Sequence, residues 1–458
     1  MRYYLLNVYL ARVLLALAGD LACFGVAAAV TWITLSPPVD PALYALGAAV
    51  GAGVATVALY YADAYGLMVL GSGRRTLGAI LATMGLVAGA AGAVYFLVRL
   101  PAPTFELAAH VAAVYFPLLL AWRLGYRITL GLPRLRGRIL VVGTSPLARS
   151  IARAVSARRN LGTEVVGYLS DDPDERGIYL DGVPVLGPVH RIEKVLREVP
   201  VDRIVVASKR RDEHFPEEEL LAAKFAGLRV ESGVSFYERV TGRIYLRDLR
   251  GSYLIFSEGF RAGRCTRLVK RALDVAFAGL GLALASPLLA LAAAAIRLED
   301  GGPIFYRQKR IGEGGRIFEV IKLRTMRPDA EARSGAAFAG RADPRVTRVG
   351  RVLRPTRIDE LPQLWNVLRG EMSLVGPRPE RPEFAEELAS RYPYFRYRCA
   401  ARPGLTGWAQ IRFGYVNSLD QWEEKLALDL YYLKYRSVLM DLLILWNTLK
   451  TVVLLRGV

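Results

Sequence analysis

Along the first 130 residues apolar and polar positions fall into blocks instead of alternating. Residues 8–35, 40–62, 77–99 and 105–122 are rich in Ala, Leu, Val, Gly and aromatic side chains, and each reaches or approaches the roughly 20 helical residues that cross a hydrocarbon slab. The pattern predicts four membrane helices. Asp20 interrupts the first block, and further apolar blocks follow where a cleavage site and soluble region would stand, so a cleaved secretory leader fits poorly. Arg2 and Arg12 flank the first block, Arg74 and Arg75 precede the third, and Arg123, Arg127, Arg134, Arg136 and Arg138 follow the fourth. The linker Ser36–Pro41 carries no positive charge and the one after the third block only Arg99, so the positive-inside rule puts both ends of the segment in the cytoplasm. Asp20 and Asp63 lie near membrane depth, where a carboxylate is costly and marks either an ion path or a pairing with Arg. No regular polar stripe accompanies them, which favours pairing.

From Arg138 to Arg247 the period changes. The run Arg138-Ile139-Leu140-Val141-Val142-Gly143 reads as a strand, Ala148–Ala157 as a helix, Val165–Leu169 as a second strand ending near Asp171-Asp172-Pro173, Val189–Glu198 as a helix and Arg203–Ala207 as a strand. Alternating strands and helices predict a parallel sheet. A phosphate-binding turn needs glycines so that backbone can approach a pyrophosphate; Gly143-Thr144-Ser145-Pro146-Leu147-Ala148 offers one glycine and a proline. The dinucleotide signal is weak, and a structural or regulatory module is the alternative. A nucleotide-sugar dehydratase or epimerase would place a Tyr four residues before a Lys beside a nicotinamide, and no Lys of this chain has Tyr at that position.

A further apolar block runs from Ala272 to Ile296 with Ser286-Pro287 at its centre. Its 25 residues at about 1.5 Å each could cross a bilayer if straight. Proline removes a helical hydrogen bond and clashes with the preceding turn, so a break is expected there. Arg267, Lys270 and Arg271 flank it on one side and Arg297, Arg307, Lys309 and Arg310 on the other. A crossing helix would put one basic cluster outside, so the charge pattern favours a re-entrant helix-break-helix over a kinked fifth span. Next, Gly302–Gly312 and Gly315–Met326 read as two strands around a glycine-rich turn, with cations alternating with apolar residues. Such a surface suits phosphate oxygens, and equally a solvated or lipid-facing basic face.

In Arg354-Pro355-Thr356-Arg357-Ile358-Asp359-Glu360-Leu361-Pro362-Gln363, followed by Leu364–Arg369 and Gly370, the apolar positions 361, 364, 365 and 368 make one helical stripe. Asp359 stands at the N-cap position and Gly370 can end the helix. Asp359 and Glu360 can then be a capping pair, or a carboxylate nucleophile with a neighbour that holds a divalent ion. Val438–Leu455 is apolar but broken by Asp441, Asn447 and Lys450, which suits a helix lying in an interface or packed in a core.

With 458 residues there is room for about three domains. A hydrophobic share of 53%, mean hydropathy of +0.25 and formal charge of +19 exclude a disordered acidic chain and argue against an ordinary soluble enzyme. Cys23, Cys265 and Cys399 are too scattered for a disulfide framework or a cysteine-rich zinc site. The histidines His110, His190 and His214 leave the chain after 214 without imidazole, so chemistry there must run on carboxylates, Arg and Lys.

Residues Arg267–Arg456 resemble the bacterial sugar transferase family, the monotopic polyprenyl-phosphate phosphoglycosyl transferases. The resemblance rests on Lys270-Arg271-Ala272-Leu273-Asp274, Ser286-Pro287, the Gly302–Met326 stretch, Asp359-Glu360-Leu361-Pro362-Gln363, Gly376-Pro377-Arg378-Pro379 and Pro403–Gln410. With the four spans and the α/β segment ahead of it, the chain is similar to the large, undecaprenyl-phosphate hexose-1-phosphate transferase form that initiates exopolysaccharide, capsule or O-antigen. The fold implied is membrane α plus α/β: a four-helix transmembrane domain (1–130), a Rossmann-like parallel-sheet module (138–250), and a monotopic, α-rich catalytic domain (264–458) with its re-entrant helix at 270–298. The reaction implied is attack of Asp359 on the sugar-bearing phosphate of a UDP-sugar, release of UMP, and transfer of the phosphosugar to polyprenyl phosphate. Glu360 would hold Mg2+. Lys309, Arg310, Lys322, Arg324, Arg354, Pro377, Arg378 and Pro379 would contact phosphate or nucleotide, and Ser286 and Pro287 would make the membrane break. The partners implied are the UDP-sugar, the polyprenyl phosphate and the bilayer of the bacterial inner membrane, with the catalytic domain on its cytoplasmic face; a homodimer follows by analogy, and nucleic acid is not expected. Pro355, where the family often carries a basic residue, and Leu323-Arg324-Thr325, in place of a Phe-Arg-Ser form, depart from the family pattern. The rival readings are a silent scaffold recruiting an assembly through the α/β module, and a nicotinamide-dependent sugar-modifying enzyme.

Overall fold

The computed structural model describes residues 4–62, 64–65, 73–98, 102–131, 137–157, 162–170, 172–208, 215–247, 249, 251–327, 343–413 and 421–453. The chain divides into two compact units, Met1–Thr241 and Gly242–Val458.

The first unit opens with four helices, α1 (Tyr4–Leu35), α2 (Pro41–Tyr61), α3 (Gly73–Val98) and α4 (Ala102–Gly131), one for each apolar block. Asp40 caps α2 by accepting from the backbone N–H groups of Ala42 and Leu43, and Pro41 takes the first helical position, where its missing N–H costs nothing. Side chains from all four helices, among them Ala16, Ala55, Leu59, Ile80, Tyr115 and Leu119, share one buried cluster. Among the described residues, Val13–Leu35, Pro41–Tyr61, Phe105–Thr129 and Arg264–Asp300 are long and apolar enough to cross a membrane; in α3 the shorter stretch Thr76–Gly89 is apolar. Asp20 is paired: Arg123 donates to it through Nε (2.9 Å) and Nη2, and Tyr65 donates at 2.7 Å. Asp63 and Asp171 lie outside the described residues.

The rest of this unit is a six-stranded sheet of order β3-β4-β2-β1-β5-β6, built from β1 (Gly137–Val142), β2 (Thr163–Leu169), β3 (Tyr179–Leu180), β4 (Val183–Gly187), β5 (Arg203–Val206) and β6 (Arg229–Ser232). All pairs are parallel except β3 with β4. The connecting helices are α5 (Pro146–Ser156), α6 (Ile192–Glu198) and α7 (Glu217–Phe225), and α8 (Gly233–Thr241) follows β6. At the turn after β1, Gly143 has φ +96° and a Cβ there would lie 2.9 Å from the backbone of Ser208, so the turn requires glycine. Ser145 donates to the Ala207 carbonyl at 2.6 Å and accepts from Ala148 N–H at 3.3 Å. The turn's hydroxyl therefore serves the fold.

The second unit starts at Gly242, ahead of the boundary at 264 that the sequence pattern suggests. Ile244 belongs to its core, and the Leu249 carbonyl accepts from Tyr394 Oη at 2.9 Å. After α9 (Gly251–Phe256) comes α10 (Arg264–Asp300), 37 residues long. The expected break at Ser286 and Pro287 is not there: the helix runs through both residues. Pro287 removes the N–H that the Ala283 carbonyl would accept, and Ser286 Oγ takes its place at 2.7 Å, so the freed acceptor is satisfied and the helix continues. One face of α10 packs on the unit through Asp274, Ala278, Ala292 and Ile296, while Phe277, Leu280, Leu284, Leu288 and Leu291 are exposed. The helix ends at Gly301, φ +69°.

The antiparallel hairpin β7 (Phe305–Ile311) and β8 (Ile317–Leu323) follows, then α11 (Arg348–Leu353), a 3₁₀ turn (Ile358–Glu360), α12 (Gln363–Arg369), β9 (Ser373–Val375), α13 (Pro382–Arg391), β10 (Gly404–Thr406), α14 (Trp408–Phe413), α15 (Trp422–Tyr435) and α16 (Val438–Val453). β9 and β10 pair in parallel, and a Cβ on Gly376 or Gly404 would meet the other segment's backbone at 2.3 or 2.1 Å, so both positions need glycine. Gly370 closes α12 at φ +84°, and Arg271 donates to the last-turn carbonyls of Val367 (2.6 Å) and Leu368 (2.7 Å). α16 combines the two expectations for the tail: Ile444 and Asp441 are buried, while Leu439, Leu442, Leu443 and Trp446 are exposed.

Candidate active site

Asp359 and Glu360 are not the N-cap of α12. They sit in the 3₁₀ turn ahead of it, and Pro362 takes the cap position. Arg357 enters that turn at φ +59°, a left-handed conformation that a side-chain-bearing residue rarely adopts and that costs of order 1 kcal/mol or more unless its surroundings hold it. They do: Arg357 Nη1 lies 3.8 Å from Glu360 Oε2. On the other carboxylate oxygen, Glu360 Oε1 accepts from Lys322 Nζ at 3.1 Å and from Arg378 Nη2 at 2.8 Å. Burial works against the Glu360 charge, but Arg378, Lys322 and Arg357 outweigh it and hold the carboxyl well below the usual carboxylate range.

Asp359 is the opposite case. It is 8% exposed, and its Oδ1 is buried with no hydrogen-bond partner among the described residues. Burial and the neighbouring Glu360 charge push its carboxyl up to about 6, while Lys322, Arg357 and Arg354 pull the other way. The helix end does not hold this charge; surrounding cations do, and only in part. With its carboxyl at about 6, Asp359 is mostly ionised at neutral pH, buried, and without a hydrogen bond on one oxygen, the condition of an activated oxygen nucleophile.

The structure gathers Lys322, Arg354 and Arg378 around this pair, and Arg310 lies near Lys322 and Arg378. On β7, Tyr306, Gln308 and Arg310 share the face that carries Lys322 of β8, whereas Lys309 stands directly opposite Glu319 on the other face and is exposed. Lys309 is thus turned away from the site. Arg324 is also elsewhere: it is 5% exposed, its guanidinium is held by Asp300 and donates to the Pro303 carbonyl at 2.7 Å, and it ties the end of β8 to the end of α10. Arg357, which the sequence reading passed over, replaces these two. Its signal was the spacing of three to Glu360.

Pro377, Arg378 and Pro379 line a small pocket with Ile311, Gly312, Glu380, Phe395, Arg398 and Pro403, and Arg378 also reaches Glu360. A buried network fixes this segment: Arg398 donates to the Arg378 carbonyl (2.9 Å) and to Asp429 (2.7 Å), Arg310 donates to the Pro379 carbonyl (3.1 Å), and Lys425 donates to Glu380 (2.8 Å).

Both Glu360 oxygens face cations of the chain, and among the described residues no group of three His, Cys, Asp or Glu side chains is placed to hold a metal ion.

A family model described as bacterial sugar transferase matches residues 265–455, and one described as a CoA-binding domain matches residues 61–214. A UDP-N-acetylgalactosamine-undecaprenyl-phosphate N-acetylgalactosaminephosphotransferase of Aeromonas hydrophila is 39% identical over 250 residues, 54% of this chain and 58% of its own length. A UDP-glucose:undecaprenyl-phosphate glucose-1-phosphate transferase of Caulobacter vibrioides is 49% identical over 183 residues, 40% of this chain and 68% of its own. Exopolysaccharide production protein ExoY of Rhizobium meliloti is 39% identical over 204 residues, 42% of this chain and 88% of its own. The acidic pair, its cations and the Pro377–Pro379 segment all lie inside the region matched by the first family model.

Proposed function

The chain belongs to the bacterial sugar transferase family, and we propose that it moves a hexose 1-phosphate from a UDP-sugar to polyprenyl phosphate, undecaprenyl phosphate in its relatives' names, as the first membrane step of a surface polysaccharide. The observation that carries the reading is the free, buried Oδ1 of an Asp359 poised near pH 6 beside a Glu360 neutralised by three cations.

In the first half-reaction an Asp359 oxygen attacks the sugar-bearing phosphorus. A phosphorus–oxygen bond to the carboxylate forms, the anhydride bond breaks, and its electron pair leaves on UMP. In the second, a polyprenyl phosphate oxygen attacks the same phosphorus and the carboxylate leaves, giving polyprenyl diphosphate sugar. One phosphoanhydride is exchanged for another, so no external energy source enters. Lys322, Arg378 and Arg357 offset the charge that builds on the phosphoryl oxygens. The Pro377–Pro379 segment, whose Arg378 reaches Glu360, would contact the nucleotide. Mg2+, if held beside Glu360, would supply further positive charge to the phosphoryl oxygens.

Placement follows from the same surfaces. The four amino-terminal helices would cross the inner membrane as a bundle with both ends in the cytoplasm. α10 would lie against one leaflet with its exposed apolar face and keep its other face on the unit, so the acidic pair meets cytosolic UDP-sugar and membrane acceptor from one side. The α/β module is assigned a regulatory or structural role of Rossmann-like type, and pairing of two copies would follow the family.

The test is UMP release from a panel of UDP-sugars with polyprenyl phosphate in detergent or nanodiscs. Wild type should turn over with a lipid acceptor and, without it, release about one equivalent of UMP per enzyme. Release that survives Asp359→Asn would remove Asp359 as nucleophile.

A further inference from the structure

The hairpin β7–β8 is a sheet of two strands, and among the described residues no strand lies beside the outer edge of β8. Asn366 of α12 sits against that edge. The residue is 0% exposed, its Oδ1 accepts from Ile321 N–H at 3.1 Å, and its Nδ2 donates to the Glu319 carbonyl at 2.7 Å. Glu319 and Ile321 are two apart, so their outward backbone groups form the pair of sites that a neighbouring strand would occupy, and one primary amide fills both. Nδ2 also donates to Glu371 Oε2 at 2.7 Å, and the Asn366 carbonyl accepts the N–H groups of Gly370 and Glu371 that close α12. A primary amide supplies the donor and the acceptor side by side that this pair of backbone groups requires.

The residue after Ile321 is Lys322, whose Nζ is 3.1 Å from Glu360, and Glu360 lies in the turn that leads into α12. A closed circuit results: Glu360, through α12 to Asn366, across the amide to β8, along one residue to Lys322, and back to Glu360. A one-residue slip of β8 would move Lys322 about 3.3 Å and turn it to the opposite face.

We propose that Asn366 is a positioning residue of the reaction: its amide, docked on the free edge of β8, holds Lys322 against Glu360 and so fixes the cations around Asp359. This rests on the transferase reading. It assigns no contact with substrate to Asn366; the effect passes through Lys322.

The experiment measures the first half-reaction, UMP release from UDP-sugar in rapid-quench format with the full chain, for wild type, Asn366→Ser, Asn366→Asp, Lys322→Met and Asn366→Ser/Lys322→Met. Each burst rate is taken per active site from the burst amplitude, so unfolded molecules drop out. Asn366→Ser should slow the burst about tenfold and leave the KM for UDP-sugar within about twofold. Asn366→Asp keeps the acceptor and loses the donor, and should slow it as well. In the Lys322→Met background the serine substitution should cost less than about twofold more, because the cation it positioned is gone. Burst rates per active site equal to wild type in both Asn366 variants, or a full further tenfold loss in the double variant, would overturn the proposal. A wild type without a burst would instead sink the covalent reading itself, and the inference with it.

Discussion

Asp359→Asn should make the protein more stable. The wild-type carboxyl is 8% exposed and pushed from an ordinary 3.8 to about 6, so ionising it in the folded state costs about 3 kcal/mol relative to the unfolded chain. Because the folded value is the higher one, the folded state holds a proton that the unfolded state has released between about pH 4 and pH 6. Stability attributable to this group therefore falls as pH rises through that window, and the full penalty is present above it. Asn keeps the shape and removes the charge. Its amide is left in the same unsatisfied place, at a cost of about 1 kcal/mol, so the net gain is about 2 kcal/mol at pH 8. For a unit the size of Gly242–Val458 that is a rise of roughly 4–8 °C in unfolding midpoint. The assay is thermal unfolding of the full chain in detergent, by circular dichroism, at pH 8 and pH 5. The gap between variant and wild type should shrink by about two thirds at pH 5, where about half of the wild-type penalty is gone. A variant midpoint at or below wild type at pH 8, or a gap that widens as pH falls, would refute the account of a destabilised charge.

The same carboxyl sets the acid limb of the reaction: UMP release in the first half-reaction should fall about tenfold per pH unit below about 6 and stay flat from 7 to 8, and a rate constant down to pH 5 would count against an ionised Asp359. Arg398→Met should cost about 3–5 kcal/mol in denaturant unfolding, because Asp429 and Glu380 then keep buried charges without their shared partner; a loss below about 1 kcal/mol would show that network to be dispensable. Ser286→Ala should cost about 1 kcal/mol by leaving the Ala283 carbonyl without a donor, and adding Pro287→Ala should recover the loss by restoring the backbone N–H; equal midpoints for wild type and Ser286→Ala would sink that explanation.

Some of this could be read from the chain directly. Membrane-length helices follow from block composition alone, since no partner is needed to tell an apolar run from a polar one, and α1, α2, α3 and α4 stand where the blocks do. The parallel sheet was legible for a similar reason: β1, β2 and β5 are apolar runs separated by helical ones. Direction of side chains was not legible. Lys309 and Arg310 are neighbours in sequence, yet the pleat sends one to the exposed face and the other to the face that carries Lys322, and only the register with β8 decides which. Arg324 looked available because its partner Asp300 is 24 residues away, at the end of another element. Arg357 was passed over because its side chain reaches Glu360 from a left-handed backbone that no propensity argument would assign to arginine. Ser286-Pro287 misled in the other direction. The rule that proline breaks helices assumes an unpaired carbonyl, and the preceding serine supplies the missing donor.

An anionic nucleophile that must approach a diphosphate faces two opposed requirements. It needs positive charge nearby to make the approach tolerable, and it must not spend its attacking lone pair on those same cations. The site separates the two through its second carboxylate. Lys322, Arg357 and Arg378 make their direct contacts with Glu360, so they stand close to Asp359 without bonding to its Oδ1. With Arg354 also in electrostatic reach, four cations face two carboxylates, leaving an excess of positive charge for an incoming diphosphate. The value near 6 measures the balance. Stronger cations on Asp359 itself would hold it lower and quench it, and a site without them would let burial raise it until the acid form prevailed at neutral pH. On the proposed reaction, Glu360 would act as the anchor that keeps these cations beside Asp359 without tying up its Oδ1.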